Sequence, residues 1–123
     1  MKKYNNYDLH FNFEVKDGLD YLNVEYIHPL KQDTINRLLQ YFKKDTNIKT
    51  VIIFGSSVDF SCNSYSDLDI CLERYDADRN FKIYLEDMDE ETDIVYMDSI
   101  GDRLKSEIEE KGIVVFDREG QYV

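Results

Sequence analysis

Cysteine and histidine are scarce in this chain, with two of each, and proline occurs once among 123 residues. Cys62 falls in a polar loop and Cys71 in a strand-like run. Neither spacing belongs to a disulfide framework, and with only His10 and His28 beside them a Cys/His zinc site is not expected. Cys71 is expected to act as a small buried hydrophobe and Cys62 to be a free thiol. The lone proline, Pro29, marks the clearest boundary in a chain that has no repeat, no low-complexity stretch and no Pro/Gly/Ser linker. Positive charge is also short: 15 Lys and Arg face 26 Asp and Glu, for a net charge of −11. A polyanion does not neutralise phosphates along a nucleic-acid backbone, so general DNA or RNA binding is not expected. The opening MKKYNNYDLHF has no apolar stretch like a signal peptide, and no run reaches transmembrane length. The expectation is a cytoplasmic protein without membrane contact.

What is present is enough for a core. Apolar residues make up 42% of the chain, with 10 Tyr and 7 Phe. One domain of this length buries about two-thirds of the surface its unfolded chain exposes, so it needs no covalent staple. The expected organisation is a single domain over 1–123, with an N-terminal hairpin extension at 1–28 and a core at 29–118.

Leu9, Phe11, Phe13 and Val15 alternate, Asp17-Gly18 supplies a turn dipeptide, and Tyr21 to Ile27 resumes a β-rich run. This pattern predicts an N-terminal β-hairpin. From Gln32 the period becomes helical, with Ile35, Leu38, Leu39 and Phe42 on one face. Asp33 or Thr34 is the expected cap, and Lys43-Lys44 suits the negative helix end. Val51 to Phe54 is a continuous apolar run, as in a strand buried on both faces. Leu68 to Leu72 reads as a second strand and Asp93 to Met97 as a third. Between them Phe81, Tyr84, Leu85 and Met88 fit a helix, while FKIYL fits a strand equally. Ser99 to Lys111 reads as a helix ended by Gly112, and Ile113 to Phe116 as a last short strand. Strands alternating with helices predict an α/β (α+β) domain, a small mixed β-sheet flanked by helices.

Chemistry concentrates in FGSSVDFSCNSYSDLDICLE, residues 54 to 73. A buried strand delivers Gly55-Ser56 into a tight turn, where glycine lets a ligand approach the backbone and exposed N–H groups suit a phosphate. Ser56 adds a hydroxyl. Ten residues on comes Asp67-Leu68-Asp69. Strand positions i and i+2 point the same way, so two carboxylates stand together with Leu68 and Ile70 facing the core. Such a pair repels itself unless a cation sits between, and Mg²⁺ takes oxygen ligands while leaving room for substrate phosphates. An Asp-x-Asp alone is equally read as a turn cap and a surface ion pair; the joint pattern with Gly-Ser is what points to a metal.

The pattern Gly-Ser-x10-Asp-x-Asp resembles the signature of the polymerase-beta-like nucleotidyltransferase superfamily, and the short chain resembles its minimal nucleotidyltransferase branch, MNT. The resemblance spans residues 35 to 117 or so. It implies a third carboxylate within a hydrophobic-Asp-hydrophobic strand, which Thr92-Asp93-Ile94-Val95-Tyr96 fits. Asp98 is the alternative, read instead as a helix cap. By resemblance, Asp67, Asp69 and Asp93 are the catalytic and metal residues, and Gly55, Ser56 and Ser57 hold the nucleotide phosphates. The implied cofactors are two Mg²⁺ ions about 3.5–4 Å apart, with ATP as substrate. The implied reaction moves AMP to a hydroxyl of a protein acceptor, with a HEPN-type toxin supplied in trans and this chain as the antitoxin. The loop SVDFSCNSYS, residues 57–66, departs from many minimal members by having no Arg, Lys or Gly. Two other readings stand beside this one: a catalytically silent module that neutralises its partner by contact, and a small-molecule enzyme of the aminoglycoside type.

Overall fold

The computed structural model of the chain describes residues 12–59, 62–63, 66–81 and 92–122. Within them run helix α1 (Pro29–Lys44), strand β1 (Ile48–Phe54), a short 3-10 turn (Gly55–Val58), strands β2 (Leu68–Arg74) and β3 (Thr92–Tyr96), helix α2 (Asp102–Lys111) and strand β4 (Ile113–Asp117). The four strands form one mixed sheet in the order β3-β2-β1-β4. β1 runs antiparallel to both β2 and β4, and β2 pairs parallel with β3. The fold is thus a mixed α+β domain, a four-stranded sheet with two helices. Among the described residues, no helix is long and apolar enough to cross a membrane.

The central strand explains the layering. Every residue of β1 but Lys49 is buried, so both faces must be covered. One face packs Val51, Ile53, Leu68, Ile70, Leu72, Ile113 and Val115 against Ile35, Leu38, Leu39 and Phe42 of α1. The other packs Ile52, Phe54, Cys71 and Val114 against Ile108, with Leu104 and Val95 at the margin. Helical spacing on α1 and α2 and alternation in the strands place these residues together. Cys71 is buried as expected, and burial, with Glu73 and Asp98 adding, pushes its thiol up to about 12. Cys62, expected in a polar loop, is also buried, and neither cysteine is in a disulfide.

Three local readings are corrected. Helix α1 begins at Pro29, not beyond Gln32, and His28 caps it: its Nδ1 accepts the Leu30 N–H at 3.2 Å. Proline at the first helical position loses no hydrogen bond, so Pro29 starts the helix that it was expected only to precede. Asp33 lies exposed inside the helix and Thr34 is buried there.

The N-terminal hairpin does not form among the described residues; Leu9 and Phe11 lie outside them. The Asp17-Gly18 turn is present, with Gly18 at φ 84°. Beyond it, Val24–Tyr26 is a 3-10 turn and not a strand. Tyr21, Val24 and Ile27 are buried at a spacing of three, and Asn23 turns the chain at φ 59°. The backbone groups that a hairpin would pair are taken by one side chain. The buried amide of Gln32 accepts from Lys16 N (3.0 Å) and donates to the carbonyls of Glu14 (3.0 Å) and Ile27 (2.9 Å). Between the two arms Phe13 N–H donates to Glu25 O at 2.7 Å.

The third correction concerns Asp98, which caps no helix. α2 starts at Asp102 with Gly101 before it, while Asp98 receives both Nε and Nη2 of Arg74 at 2.9 Å. The segment around Tyr84, Leu85 and Met88, helix or strand on sequence, lies outside the described residues. Its neighbour Phe81 packs on Phe42, ring centroids 4.6 Å apart.

Candidate active site at one end of the sheet

β1 ends at Phe54 where β2 and β3 begin, so the C-terminal end of one strand meets the N-terminal ends of two others. Phe54 is paired with Asp69, and Asp69 with Asp93. Registered residues on neighbouring strands point the same way, and adjacent strands lie about 4.8 Å apart. Asp69 and Asp93 therefore share a face, and Asp67, two residues before Asp69, continues it. Cys71 and Val95 have the same parity further along and pack in the α2-side cluster. The carboxylates thus extend the α2 face of the sheet past its apolar part. Leu68, between them, is fully buried on the α1 side.

Gly55 is locked to this arrangement. It takes φ 76°, which L side chains rarely adopt, and a Cβ there would overlap Asp69 Oδ2 and stand 3.4 Å from Asp69 Cγ. The missing side chain of Gly55 leaves room for the Asp69 carboxylate. Asp69 is half-buried, while Asp67 and Asp93 are exposed. Burial first, then the charges of Asp93, Asp67 and Glu107, push the Asp69 carboxyl above the ordinary carboxylate range. Glu107, on α2, is a fourth acid in the field of the site. Sequence reasoning missed it because only the packing of α2 on the sheet brings it near; its place one turn before the helix end was the available signal.

Ser56 and Ser57 lie in the 3-10 turn that follows Gly55. Ser56 is half-exposed, and its carbonyl accepts Asp59 N–H at 3.1 Å. Ser57 is fully buried, its carbonyl accepts His28 N–H at 2.8 Å, and its hydroxyl has no partner. Among the described residues, Asp67, Asp69 and Asp93 enter no ion pair, whereas Asp33 pairs with Lys16, Glu119 with Lys49, and Asp98 with Arg74.

The set suits a hard divalent cation by its chemistry: carboxylates that repel one another and have no ion-pair partner among the described residues. No three Asp, Glu, His or Cys side chains among the described residues are already gathered into a metal cage. Asp98, at the opposite end of β3, is committed to Arg74.

Residues 36–121 match the family described as Polymerase beta, Nucleotidyltransferase. That span holds the second half of α1, all four strands, α2 and every acid of the site. No curated protein matches the chain.

Proposed function

This chain belongs to the polymerase beta nucleotidyltransferase family, and from that premise we propose that it moves AMP from ATP to a hydroxyl of a protein acceptor. The acceptor in this reading is a HEPN-type toxin supplied in trans, which makes the chain an antitoxin. The observation that supports activity most strongly is the Asp67, Asp69 and Asp93 set: no ion-pair partner among the described residues, Asp69 in register with Asp93, and a glycine in place of a side chain where Asp69 lies.

Asp67, Asp69 and Asp93 would hold two Mg²⁺ ions, which would neutralise triphosphate charge and make the acceptor hydroxyl more acidic. The chain's own contribution is positioning. Asp69, confined by Gly55, fixes one oxygen donor set; Asp67 and Asp93 flank it and are free to rotate. Asp93 is assigned the acceptor's proton as its oxygen bonds to the α-phosphorus and pyrophosphate leaves. Ser56, which is half-exposed, is assigned to the phosphates, whereas Ser57 is fully buried.

The absence of Arg, Lys and Gly from residues 57–66 favours a second reading, a module that neutralises its partner by contact alone. One experiment separates the two. Chain, Mg²⁺ and ATP labelled at the α-phosphorus are incubated with a candidate HEPN-type partner protein. Label on the partner, lost with Asp69→Asn, is the expected result. A partner that is bound and inhibited yet stays unlabelled contradicts transfer and leaves the contact reading.

A further inference from the structure

Lys31 is 1% exposed, although it carries an ammonium group and lies only three residues into α1. It occupies a core position: Lys31, Ile35, Leu38 and Phe42 form one buried stripe at helical spacing. Burying a charge costs several kcal/mol unless it is hydrogen-bonded, so the ammonium must find oxygen. It donates to the carbonyl of Ser66, the residue directly before Asp67.

Asn63 and Ser66, described residues of that loop, bond to each other. Ser66 N–H bonds Asn63 O at 3.1 Å, and Asn63 N–H bonds Ser66 Oγ at 3.0 Å. The same helix end holds the other side of the site, because His28 N–H donates to Ser57 O at 2.8 Å. The first turn of α1 therefore grips both segments that bracket the carboxylates, and it does so from the opposite face of the sheet. Both His28 and Lys31 lie before residue 36, outside the family match.

We propose that Lys31 is a positioning residue for Asp67: by clamping the Ser66 carbonyl from behind the sheet, it sets where the exposed Asp67 carboxylate enters the metal site. The aliphatic stem belongs to the core and the ammonium to the loop. Removing the ammonium alone frees Ser66 and lets Asp67 drift from Asp69. Partners that orient a ligand from outside the coordination sphere typically contribute 10–100-fold in metal affinity.

The inference rests on the proposed metal-dependent nucleotide binding, and the test keeps the two apart. Lys31→Met retains the stem and removes the charge; Lys31→Gln is a milder second variant for use if the first does not fold. The Mg²⁺ concentration that half-saturates ATP binding is measured by calorimetry, alongside melting temperature and amide hydrogen exchange at residues 66–68. The proposal predicts a half-saturating Mg²⁺ concentration raised about tenfold, with faster exchange at Asp67 and Leu68, and recovery toward wild type in Lys31→Arg. A lowered melting temperature with unchanged Mg²⁺ dependence and unchanged exchange makes Lys31 merely structural and overturns it. If wild type itself binds no nucleotide, the reading of the site fails, and exchange still decides the clamp: faster at Asp67 upholds it, unchanged rejects it.

Discussion

At the scale of single residues, the site depends on a side chain that is missing. Gly55 at φ 76° leaves the space in which Asp69 Oδ2 lies. Gly55→Ala adds left-handed strain of about 1–2 kcal/mol and forces the carboxylate aside. The expected outcome in urea denaturation is a loss of at least that size, together with weaker Mg²⁺ binding. Asp69 itself behaves in the opposite way. Its carboxyl titrates above the ordinary value, by burial and by the charges of Asp93, Asp67 and Glu107, so the folded chain binds a proton there more readily than the unfolded chain. Such a group costs stability once pH exceeds its raised value and returns it as pH falls through that value toward the ordinary 3.8. Asp69→Asn is therefore predicted to melt no lower than wild type near neutral pH without Mg²⁺, and to lose the rise in melting temperature that Mg²⁺ gives wild type. A lower melting point for Asp69→Asn would show the carboxylate to be structural. The Asp-x-Asp pair was legible in sequence because a strand's period is two. The fit of Asp69 into Gly55 was not, because it arises from the antiparallel pairing of β1 with β2, sixteen residues of chain that sequence alone does not register.

At the scale of elements, strands and helices with strong periodicity were readable and the N-terminal segment was not. β1 announced itself as an unbroken apolar run, and α2 as an amphipathic stretch ended by glycine. Residues 21–27 have β-rich composition, yet their buried members recur every third residue, and the Gln32 amide takes up carbonyls that a hairpin would use. Nothing local marks Gln32 as that partner; its role depends on α1 lying under the segment. β3 is held at its far end by Arg74, which reaches across from β2 to Asp98, to Asn80 Oδ1 at 2.8 Å, and over the Tyr96 ring at 3.8 Å. Those hydrogen bonds hold the Asp98 carboxyl below its ordinary value of 3.8. The stability it gives is present above that value and fades as pH falls through the lowered one. Arg74→Met is expected to lower the melting temperature at neutral pH and to flatten the acid limb of the stability curve. An acid limb unchanged from wild type would contradict the role given to this pair.

At the scale of the whole molecule, a net charge of −11 disfavours the compact state by self-repulsion and places part of that repulsion where a reaction needs it. The sheet gathers Asp67, Asp69 and Asp93 on its α2 face, while α1 braces the backbone from the other side. Uniform screening by salt relieves general repulsion, whereas a nucleotide–metal site responds to Mg²⁺ specifically. The measurement that tests the central claim most directly is calorimetric titration of ATP into the chain, with and without Mg²⁺ at matched ionic strength, for wild type and for Asp67→Ala/Asp69→Ala. The account predicts binding that requires Mg²⁺ and disappears in the double variant while its fold persists. Binding of equal strength in the folded double variant, or no binding of any nucleoside triphosphate by folded wild type, contradicts it.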